Sequence, residues 1–220
     1  MVDIGKLDPK LAAQHFGNPQ GEIGLALANS MSSRNTAVYE AAARRLGMKP
    51  GERLFEVGFG NGKLVPLLLT SAPELTYAGI DISETMVAEA EDFNRELVET
   101  GKAVFRLASV DSIPFADGSF DRALSVNTIY FWSDPVRSLT ELRRVLRPDG
   151  VLLVAAGTPR TMAKLPPAQH GFRVYDDAQL LELHRQAGFG SVEVERYSDT
   201  ATGPDGSLVD REGYFVVSIT

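Results

Sequence analysis

The stretch Arg53-Leu-Phe-Glu-Val-Gly-Phe-Gly-Asn-Gly-Lys63 predicts the architecture of the whole chain. A short apolar run breaks into three glycines, Gly58, Gly60 and Gly62, and a helical apolar pattern follows them. A strand, a glycine turn and a helix form a nucleotide-binding βα unit, because bare glycine backbone lets a ligand lie beside a helix N-terminus. The spacing is G-x-G-x-G, and Lys63 stands where a dinucleotide-binding turn has its third glycine. For this stretch alone, a purely structural glycine turn is the alternative.

The composition narrows the class of protein. With 220 residues and no cysteine, the chain suits one large α/β domain and offers no thiolate nucleophile, disulfide or cysteine-bound metal. The formal net charge of −7 argues against a nucleic-acid partner, because phosphate binding needs a basic surface. The N-terminus lacks the apolar core of a signal peptide, and every apolar run is too short to span a bilayer. We therefore expect a soluble, cytoplasmic protein without a metal site.

Residues 1–50 precede the first strand and form a predicted helical leader. Pro9–Phe16 and Asn35–Leu46 have helical patterns, and the turn residues of Gly17–Gly21 predict a loop. Such a layer either covers a sheet edge or forms a lid over a ligand crevice. We divide the chain into this leader and a second domain over residues 51–220.

From Arg53 onward, predicted strands and helices alternate, which is typical of a mainly parallel sheet covered on both faces. The predicted strands are Arg53–Val57, Thr76–Ile80, Ala103–Leu107, Phe120–Val126, Val151–Ala155, Ser191–Tyr197 and Tyr214–Ile219. The predicted helices are Lys63–Thr70, Glu84–Thr100, Pro135–Leu146 and Asp177–Gln186, and the predicted turns and loops are Arg147–Gly150, Gly157–Gly171 and Asp199–Gly206. The last two strands are close in sequence, so we expect one antiparallel member there.

Polar residues follow successive strands, at the sheet edge where α/β proteins bind ligands. Asp81 ends the second strand roughly 20 residues after the glycines, where a carboxylate can accept both hydroxyls of a ribose. Asp111 follows the third strand and Asn127 the fourth. Each alone is explained as a helix cap or a loop residue, but together they indicate a nucleotide-like ligand. Glu56 would repel a pyrophosphate at the end of the first strand, and it suits a cationic group.

At these residues the sequence resembles the class I S-adenosylmethionine-dependent methyltransferases. Five segments carry the resemblance in the family's order: Leu54–Gly62, Ala78–Ser83, Ala108–Phe115, Phe120–Asn127 and Glu141–Gly150. The resemblance covers about residues 35–160, and as an ordered set these motifs are highly specific. The fold class it implies is α/β: a Rossmann-like, doubly wound sheet of seven strands, mostly parallel with an antiparallel final strand.

The resemblance also implies a function. S-adenosylmethionine would be the cofactor, S-adenosylhomocysteine the product, and an O, N or C nucleophile of a small molecule the acceptor. The leader and the Asn127–Trp132 run look like a bacterial small-molecule subgroup, similar to the type 11 methyltransferases. We expect a monomer or a homodimer.

Individual residues take roles from this resemblance. Glu56 and the Gly58–Gly62 backbone would hold the methionine end, Asp81 the ribose, and Asp111 with the Val110 amide the adenine. The other residues assigned to the cofactor are Met31, Asn35, Phe59, Gly60, Asn61, Ile82, Met86, Ser109, Asn127, Thr128 and Trp132.

Some of these assignments have plain structural alternatives. Met86 is explained nearly as well by ordinary core packing, and Trp132 by anchoring the helix that follows it. Met31 and Asn35 would close the pocket from the leader.

An oxygen or nitrogen acceptor can need a general base, and the candidates are His15, Tyr130 and His170. The two histidines lie in the leader and in a proline-rich loop, which flank the expected mouth of the pocket. A plain loop histidine is the alternative for each. His184 lies within a predicted helix and is expected to be a surface or packing residue. Tyr130 and Phe131 are expected to line a largely apolar mouth.

Two other functions stay open. Asp81 alone would allow an NAD(P)-dependent oxidoreductase, but the glycine spacing, Glu56 and the Asp111 motif count against it. A non-catalytic S-adenosylmethionine-binding protein is the second alternative, since the fold requires no universal catalytic residue.

Overall fold

The structure, a computed structural model, describes residues 2–202 and 207–220. Its strands are β1 Arg53–Val57, β2 Thr76–Asp81, β3 Ala103–Leu107, β4 Phe120–Val126, β5 Leu146–Gly157, β6 Ser191–Thr202 and β7 Leu208–Ile219. They form one sheet in the order β3-β2-β1-β4-β5-β7-β6. The first five strands pair in parallel, and β7 is antiparallel to both β5 and β6. The predicted fold class, with its antiparallel final strand, is confirmed.

Helices cover both faces of the sheet. The α-helices are α1 Pro9–Gly17, α2 Gly21–Leu46, α3 Val65–Leu69, α4 Glu84–Phe93, α5 Arg95–Glu99, α6 Pro135–Val145, α7 Pro159–Met162 and α8 Asp177–Gln186. Short 3₁₀ turns form at Ile4–Lys6, Ile129–Phe131 and Pro166–Gln169. None of the helices in the described ranges is long and apolar enough to cross a membrane.

Two apolar clusters form the core, one on each face of the sheet. Along β1, Phe55 and Val57 join the cluster under α6 and α8, whereas Leu54 joins the cluster under α2, α3 and α4. This alternation follows from the two-residue period of a strand. Glu56 lies on the same side as Leu54, so a carboxylate is buried beneath α2.

The leader differs from its prediction. Residues 21–34 were not expected to be helical, but Gly21–Leu46 is one helix that ends at Gly47 in the left-handed conformation. Small and polar residues between Ile23 and Met31 hide its helical period. A side chain at Gly24 would lie 2.7 Å from the Pro19 carbonyl carbon, so this glycine permits close packing of the chain that enters the helix. The second half of α2 packs into the core.

The predicted helix Glu84–Thr100 is also wrong in one respect, because it breaks into α4 and α5 at Asn94. The buried Asn94 amide donates to the Gly62 carbonyl at 3.0 Å and to the Ala90 carbonyl at 2.9 Å. The break therefore fastens the end of α4 to the glycine turn.

Three predicted loops contain regular structure. The predicted turn at residues 147–150 belongs to β5, where Asp149 has a φ of 63° and the register with β4 shifts. The loop predicted over residues 157–171 includes α7 and a 3₁₀ turn. Residues 199–202 of the last predicted loop extend β6, and residues 203–206 lie outside the described residues.

Candidate functional site

A cavity of about 490 Å³ lies at the carboxyl ends of β1, β2, β4 and β5, beneath the leader. This volume falls within the range of roughly 300–1,000 Å³ that is typical of small-molecule sites. Its wall is mostly apolar, and its charged residues are few. No group of three or more histidines or carboxylates in the described ranges is arranged to hold a metal ion.

All three glycines of the turn have positive φ angles, and each has a different surrounding. A side chain at Gly58 would collide with the Thr128 methyl group, and one at Gly62 would lie 2.7 Å from the Ala90 side chain. A side chain at Gly60 would meet nothing within 4 Å. Gly60 therefore leaves bare backbone facing open space in the cavity, while the other two glycines are required by packing.

Asp81, at the end of β2, lies behind this turn. Its Oδ2 accepts from the Gly60 amide at 3.1 Å, and its Oδ1 accepts from the Ser83 amide at 3.0 Å. Burial raises the pKa of Asp81 to about 6, although the backbone hydrogen bonds oppose this shift. Each carboxylate oxygen has lone-pair capacity left, so Asp81 can accept two hydroxyl hydrogens from a ligand.

Asp111 lines the cavity beyond β3 and is held by two serine hydroxyls. Ser138, on α6, donates to Oδ1 at 2.5 Å, and Ser133 donates to Oδ2 at 2.8 Å. These bonds fix the orientation of the carboxylate. The sequence analysis predicted the aspartate but did not find the serines, which are more than 20 residues away in the chain.

Asn127 follows β4 in the left-handed conformation, with a φ of 59°. Its amide donates to the Ala155 carbonyl at 2.9 Å, and its side-chain oxygen accepts from the Tyr130 hydroxyl at 3.1 Å. The Tyr130 hydroxyl in turn accepts from the Gly157 amide at 2.5 Å. A non-glycine residue in this region is uncommon, and such strain is concentrated at ligand sites.

Most of the residues predicted to hold the cofactor line the cavity. They are Met31, Asn35, Gly58, Phe59, Gly60, Asn61, Asp81, Ile82, Ser109, Val110, Asp111, Asn127, Thr128 and Trp132. Trp132 is 5% exposed and belongs to the core as well, so both of its predicted roles are compatible with its position. Their roles toward the cofactor are taken up in the proposal below.

Glu56, Gly62 and Met86 were predicted to contact the cofactor, but they are not among the residues that line the cavity. Met86 is fully buried in the core, as its alternative explanation expected. Gly62 packs against α4. The Glu56 carboxylate accepts hydrogen bonds from the hydroxyls of Tyr39 at 2.6 Å and Tyr77 at 2.7 Å. Burial raises its pKa to about 7, against the opposing effect of these two bonds.

Of the three candidate bases, His15 and Tyr130 line the cavity, and His170 does not. His170 is exposed. His15 lines the cavity, but its Nδ1 accepts from the Gln20 amide at 3.3 Å, so neutral His15 carries its proton on Nε2. Tyr130 lines it too, and burial raises the pKa of its hydroxyl far above the usual value. His184 is a packing residue: burial lowers its pKa to about 3, and Nδ1 contacts Ser218 at 2.7 Å.

An aromatic wall, formed by Phe16, Tyr130, Phe131 and Phe172, closes one side of the cavity. The Phe172 ring lies 4.5 Å from Phe131, 5.6 Å from Tyr130 and 6.1 Å from Phe16, measured between centroids. Tyr130 and Phe131 were predicted, whereas Phe16 and Phe172 were not. Phe16 ends a predicted helix and Phe172 follows a predicted loop, and no local signal marks either one as part of a cavity wall.

The leader also touches the glycine turn. Ser32, on α2, donates to the Asn61 side-chain oxygen at 2.7 Å, and the Asn61 amide group donates to Asn29 at 3.1 Å. Lys63 donates to the same Asn29 oxygen at 2.6 Å. The first half of α2 is therefore hydrogen-bonded across the turn and covers the cavity.

The fold and the site together define a class of protein. A doubly wound sheet, a glycine turn with open backbone and carboxylates after β2 and β3 characterise α/β proteins that bind nucleoside-containing ligands.

Comparison with known proteins finds methyltransferases similar to this chain. Residues 55–154 match the sequence profile of the family described as a methyltransferase domain. The O-methyltransferase resE of Aspergillus sclerotiorum is 27% identical over 193 residues, which are 81% of this chain and 68% of that protein. The O-methyltransferase rstn1 of Aspergillus nomiae is 28% identical over 200 residues, which are 85% of this chain and 83% of that protein.

Solved structures show the same fold. A SAM-dependent methyltransferase from Aquifex aeolicus superposes with a TM-score of 0.66 at 21% identity, covering 97% of this chain and 99% of that one. The complex of the Haloferax volcanii Trm112 activator with a putative methyltransferase gives a TM-score of 0.71 at 21% identity, covering 88% of this chain and 92% of that one. These matches support a class I S-adenosylmethionine-dependent methyltransferase, with S-adenosylmethionine as the cofactor.

Proposed function

We propose that this enzyme methylates an oxygen atom of a small, apolar or aromatic molecule. The observation that carries the proposal is that two kinds of wall line one cavity. The open Gly60 backbone, Asp81 and Asp111 are polar, and the aromatic wall is apolar. A cofactor and an apolar acceptor can therefore lie side by side. The relatives named as O-methyltransferases support oxygen as the acceptor atom.

The residues present fit the cofactor. Asp81 would accept the ribose hydroxyls, and Asp111 with the Val110 amide would bind the adenine edge. The bare backbone at Gly60 would lie against the methionine end, near Asn127. When bound, S-adenosylmethionine supplies a methyl group that its sulfonium activates.

The protein's own contribution is alignment and exclusion of water. Tyr130 fixes Asn127 through a hydrogen bond, and the first half of α2 covers the pocket. Among the described residues that line the cavity, neither His15 nor Tyr130 is ready to remove a proton, for the reasons given above. The acceptor would therefore bring an oxygen that already ionises in water, as a carboxylic acid or an acidic phenol does.

We further infer that the partner is a small molecule and not a nucleic acid, because the net charge of −7 opposes phosphate binding. The protein would act in the cytoplasm as a monomer or a homodimer. The lid function of the leader is part of the same proposal. Its hydrogen bonds to Asn61 support that function.

Calorimetry with the purified protein tests the cofactor, and an assay of S-adenosylhomocysteine release tests the acceptor. We expect binding of S-adenosylmethionine and S-adenosylhomocysteine, no binding of NADH, and turnover with members of a panel of phenols and carboxylic acids. NADH binding without S-adenosylmethionine binding would refute the proposal. Cofactor binding without turnover on any acceptor would favour the non-catalytic alternative.

A further inference from the structure

Arg34, on α2, lines the cavity, and its charge is uncompensated within residues 2–202 and 207–220. Its Nε is buried, and no atom of the described residues accepts a hydrogen bond from it. No carboxylate within the described ranges forms an ion pair with its guanidinium either. A guanidinium that is partly removed from water without a partner is costly, so its presence in a ligand cavity calls for an anionic partner.

The neighbouring arginine is compensated. Arg211, on β7, donates to the Arg34 carbonyl at 2.8 Å and pairs with Asp199 through an Nε–Oδ1 contact of 2.9 Å. Burial lowers the pKa of Arg34, and the positive charge of Arg211 lowers it further. Because Asp199 pairs with Arg211, Arg34 is the arginine of this pair whose charge lacks an ion-pair partner within the described residues.

Two acidic residues of β7 also line the cavity, but both have other partners. Asp210 accepts from the Thr200 hydroxyl at 3.0 Å. Glu212 lies 3.8 Å from Arg160, and its side chain is 46% exposed. Neither neutralises Arg34.

Arg34 lies on α2 next to Asn35, which is assigned to the cofactor, and its backbone carbonyl accepts from Arg211 of β7. Its side chain therefore lines a cavity that the cofactor and the acceptor would share. The aromatic wall faces the same cavity. Ribose and adenine carry no charge, so an anion bound at Arg34 is either a group of the acceptor or the amino-acid carboxylate of the cofactor.

We propose that the acceptor carries a carboxylate, that Arg34 binds this carboxylate, and that the apolar body of the acceptor lies against Phe131 and Phe172. The inference rests on the proposed function, because it requires an acceptor site beside the cofactor. Arg34 acts as a specificity residue here. A guanidinium binds a carboxylate in a bidentate manner, which an amide or an alcohol cannot reproduce.

The test measures binding to the protein saturated with S-adenosylhomocysteine. Cinnamate and octanoate are compared by calorimetry with cinnamamide and octanamide, which have the same apolar body without the charge. We expect the carboxylates to bind about tenfold or more tightly than the amides. Arg34→Met should abolish that preference and leave S-adenosylhomocysteine binding within about twofold, because methionine keeps the apolar stem. Arg44→Met, an exposed change on the same helix, should keep the preference.

Two results would overturn the inference. Equal or absent binding of carboxylates and amides by the wild-type complex would show that the site does not select an anion. The cofactor's own amino-acid carboxylate is the other source of an anion, and 5′-methylthioadenosine, which lacks it, distinguishes the two. If Arg34→Met weakens S-adenosylhomocysteine but not 5′-methylthioadenosine, Arg34 binds the cofactor. Failure of the wild type to bind S-adenosylhomocysteine would instead refute the proposed function.

Discussion

The Tyr39 hydroxyl donates to Glu56 Oε1 over 2.6 Å, and this bond joins helix α2 to the end of the first strand. Tyr77, on β2, donates to the other oxygen at 2.7 Å. All three residues are buried, and burial raises the pKa of both tyrosines as well as that of the glutamate. The second half of the leader is therefore part of the folded core, whatever its first half does over the cavity.

The first prediction concerns the pH dependence of stability. The folded-state pKa of Glu56 is about 7, above its value in an unfolded chain. The protonated form is therefore favoured by folding, and its contribution is present at low pH and lost as the pH rises through 7. We expect this loss to be on the order of 3 kcal/mol between about pH 4 and pH 8. Glu56→Gln, which cannot ionise, should remove it.

Denaturant titrations of the wild type and of Glu56→Gln across this range measure the effect. Asp81 keeps a similar, smaller dependence in both proteins, since its pKa is also raised, to about 6. Glu40→Gln, an exposed change on α2, is the control and should follow the wild type. A variant curve parallel to the wild-type curve would show that Glu56 ionises normally.

The sequence alone predicts those secondary-structure elements whose residue pattern is local. Every strand was predicted, because each is a short apolar run bounded by turn residues, and the ordered motifs identified the parallel topology. The sequence did not predict that the first half of α2 is helical, because Ser, Asn and Gly mask its apolar period. The additional length of β6 and β7 was not predicted either. It depends on pairing between the two strands rather than on either segment alone.

The site could be predicted at the strand ends and not beyond them. Asp81 and Asp111 follow from strand positions in one chain segment. The hydrogen bonds of Glu56 could not be predicted from the sequence, because its partners Tyr39 and Tyr77 lie 17 and 21 residues away. Arg34 belongs to no sequence motif, and its role could not be predicted because it depends on which charged groups lie near it in the fold.

The second prediction distinguishes two glycines. Gly62→Ala should destabilise the fold by roughly 1–3 kcal/mol, because its side chain would meet Ala90 and the left-handed backbone adds strain. Gly60→Ala should cost only the backbone strain, roughly 1 kcal/mol, since nothing lies within 4 Å. The loss of cofactor affinity should follow the opposite order and be larger for Gly60→Ala than for Gly62→Ala. Thermal unfolding and calorimetry with S-adenosylhomocysteine measure both. A larger loss of affinity than of stability at Gly62 would contradict the assignment.

The third prediction concerns Tyr130. Its raised pKa and its bonds to Asn127 and Gly157 indicate a positioning residue rather than a base. Tyr130→Phe should destabilise the protein by about 1–3 kcal/mol, because the buried Gly157 amide loses its acceptor. Its kcat with an acceptor from the turnover assay should fall far less than the roughly 10²–10⁴-fold expected for loss of a general base. A loss within that range, with cofactor binding intact, would show that Tyr130 is the base.

The last prediction tests Asp81, on which the cofactor assignment depends. Hydrogen bonds to a charged group contribute roughly 1.5–3 kcal/mol each, and less where water replaces the ligand. Asp81→Ala should weaken S-adenosylhomocysteine binding by about ten- to a few-hundredfold, Asp81→Asn should lie between, and Asp111→Ala should lose less than Asp81→Ala. The ribose hydroxyls favour the ionised carboxylate. Wild-type affinity should therefore fall as the pH drops below about 6, where Asp81 takes up a proton, and Asp81→Asn should lack this step. Asp92→Ala, an exposed change, is the control. If Asp81→Ala binds as tightly as the wild type with its fold intact, the ribose assignment is wrong and the cofactor lies elsewhere in the cavity.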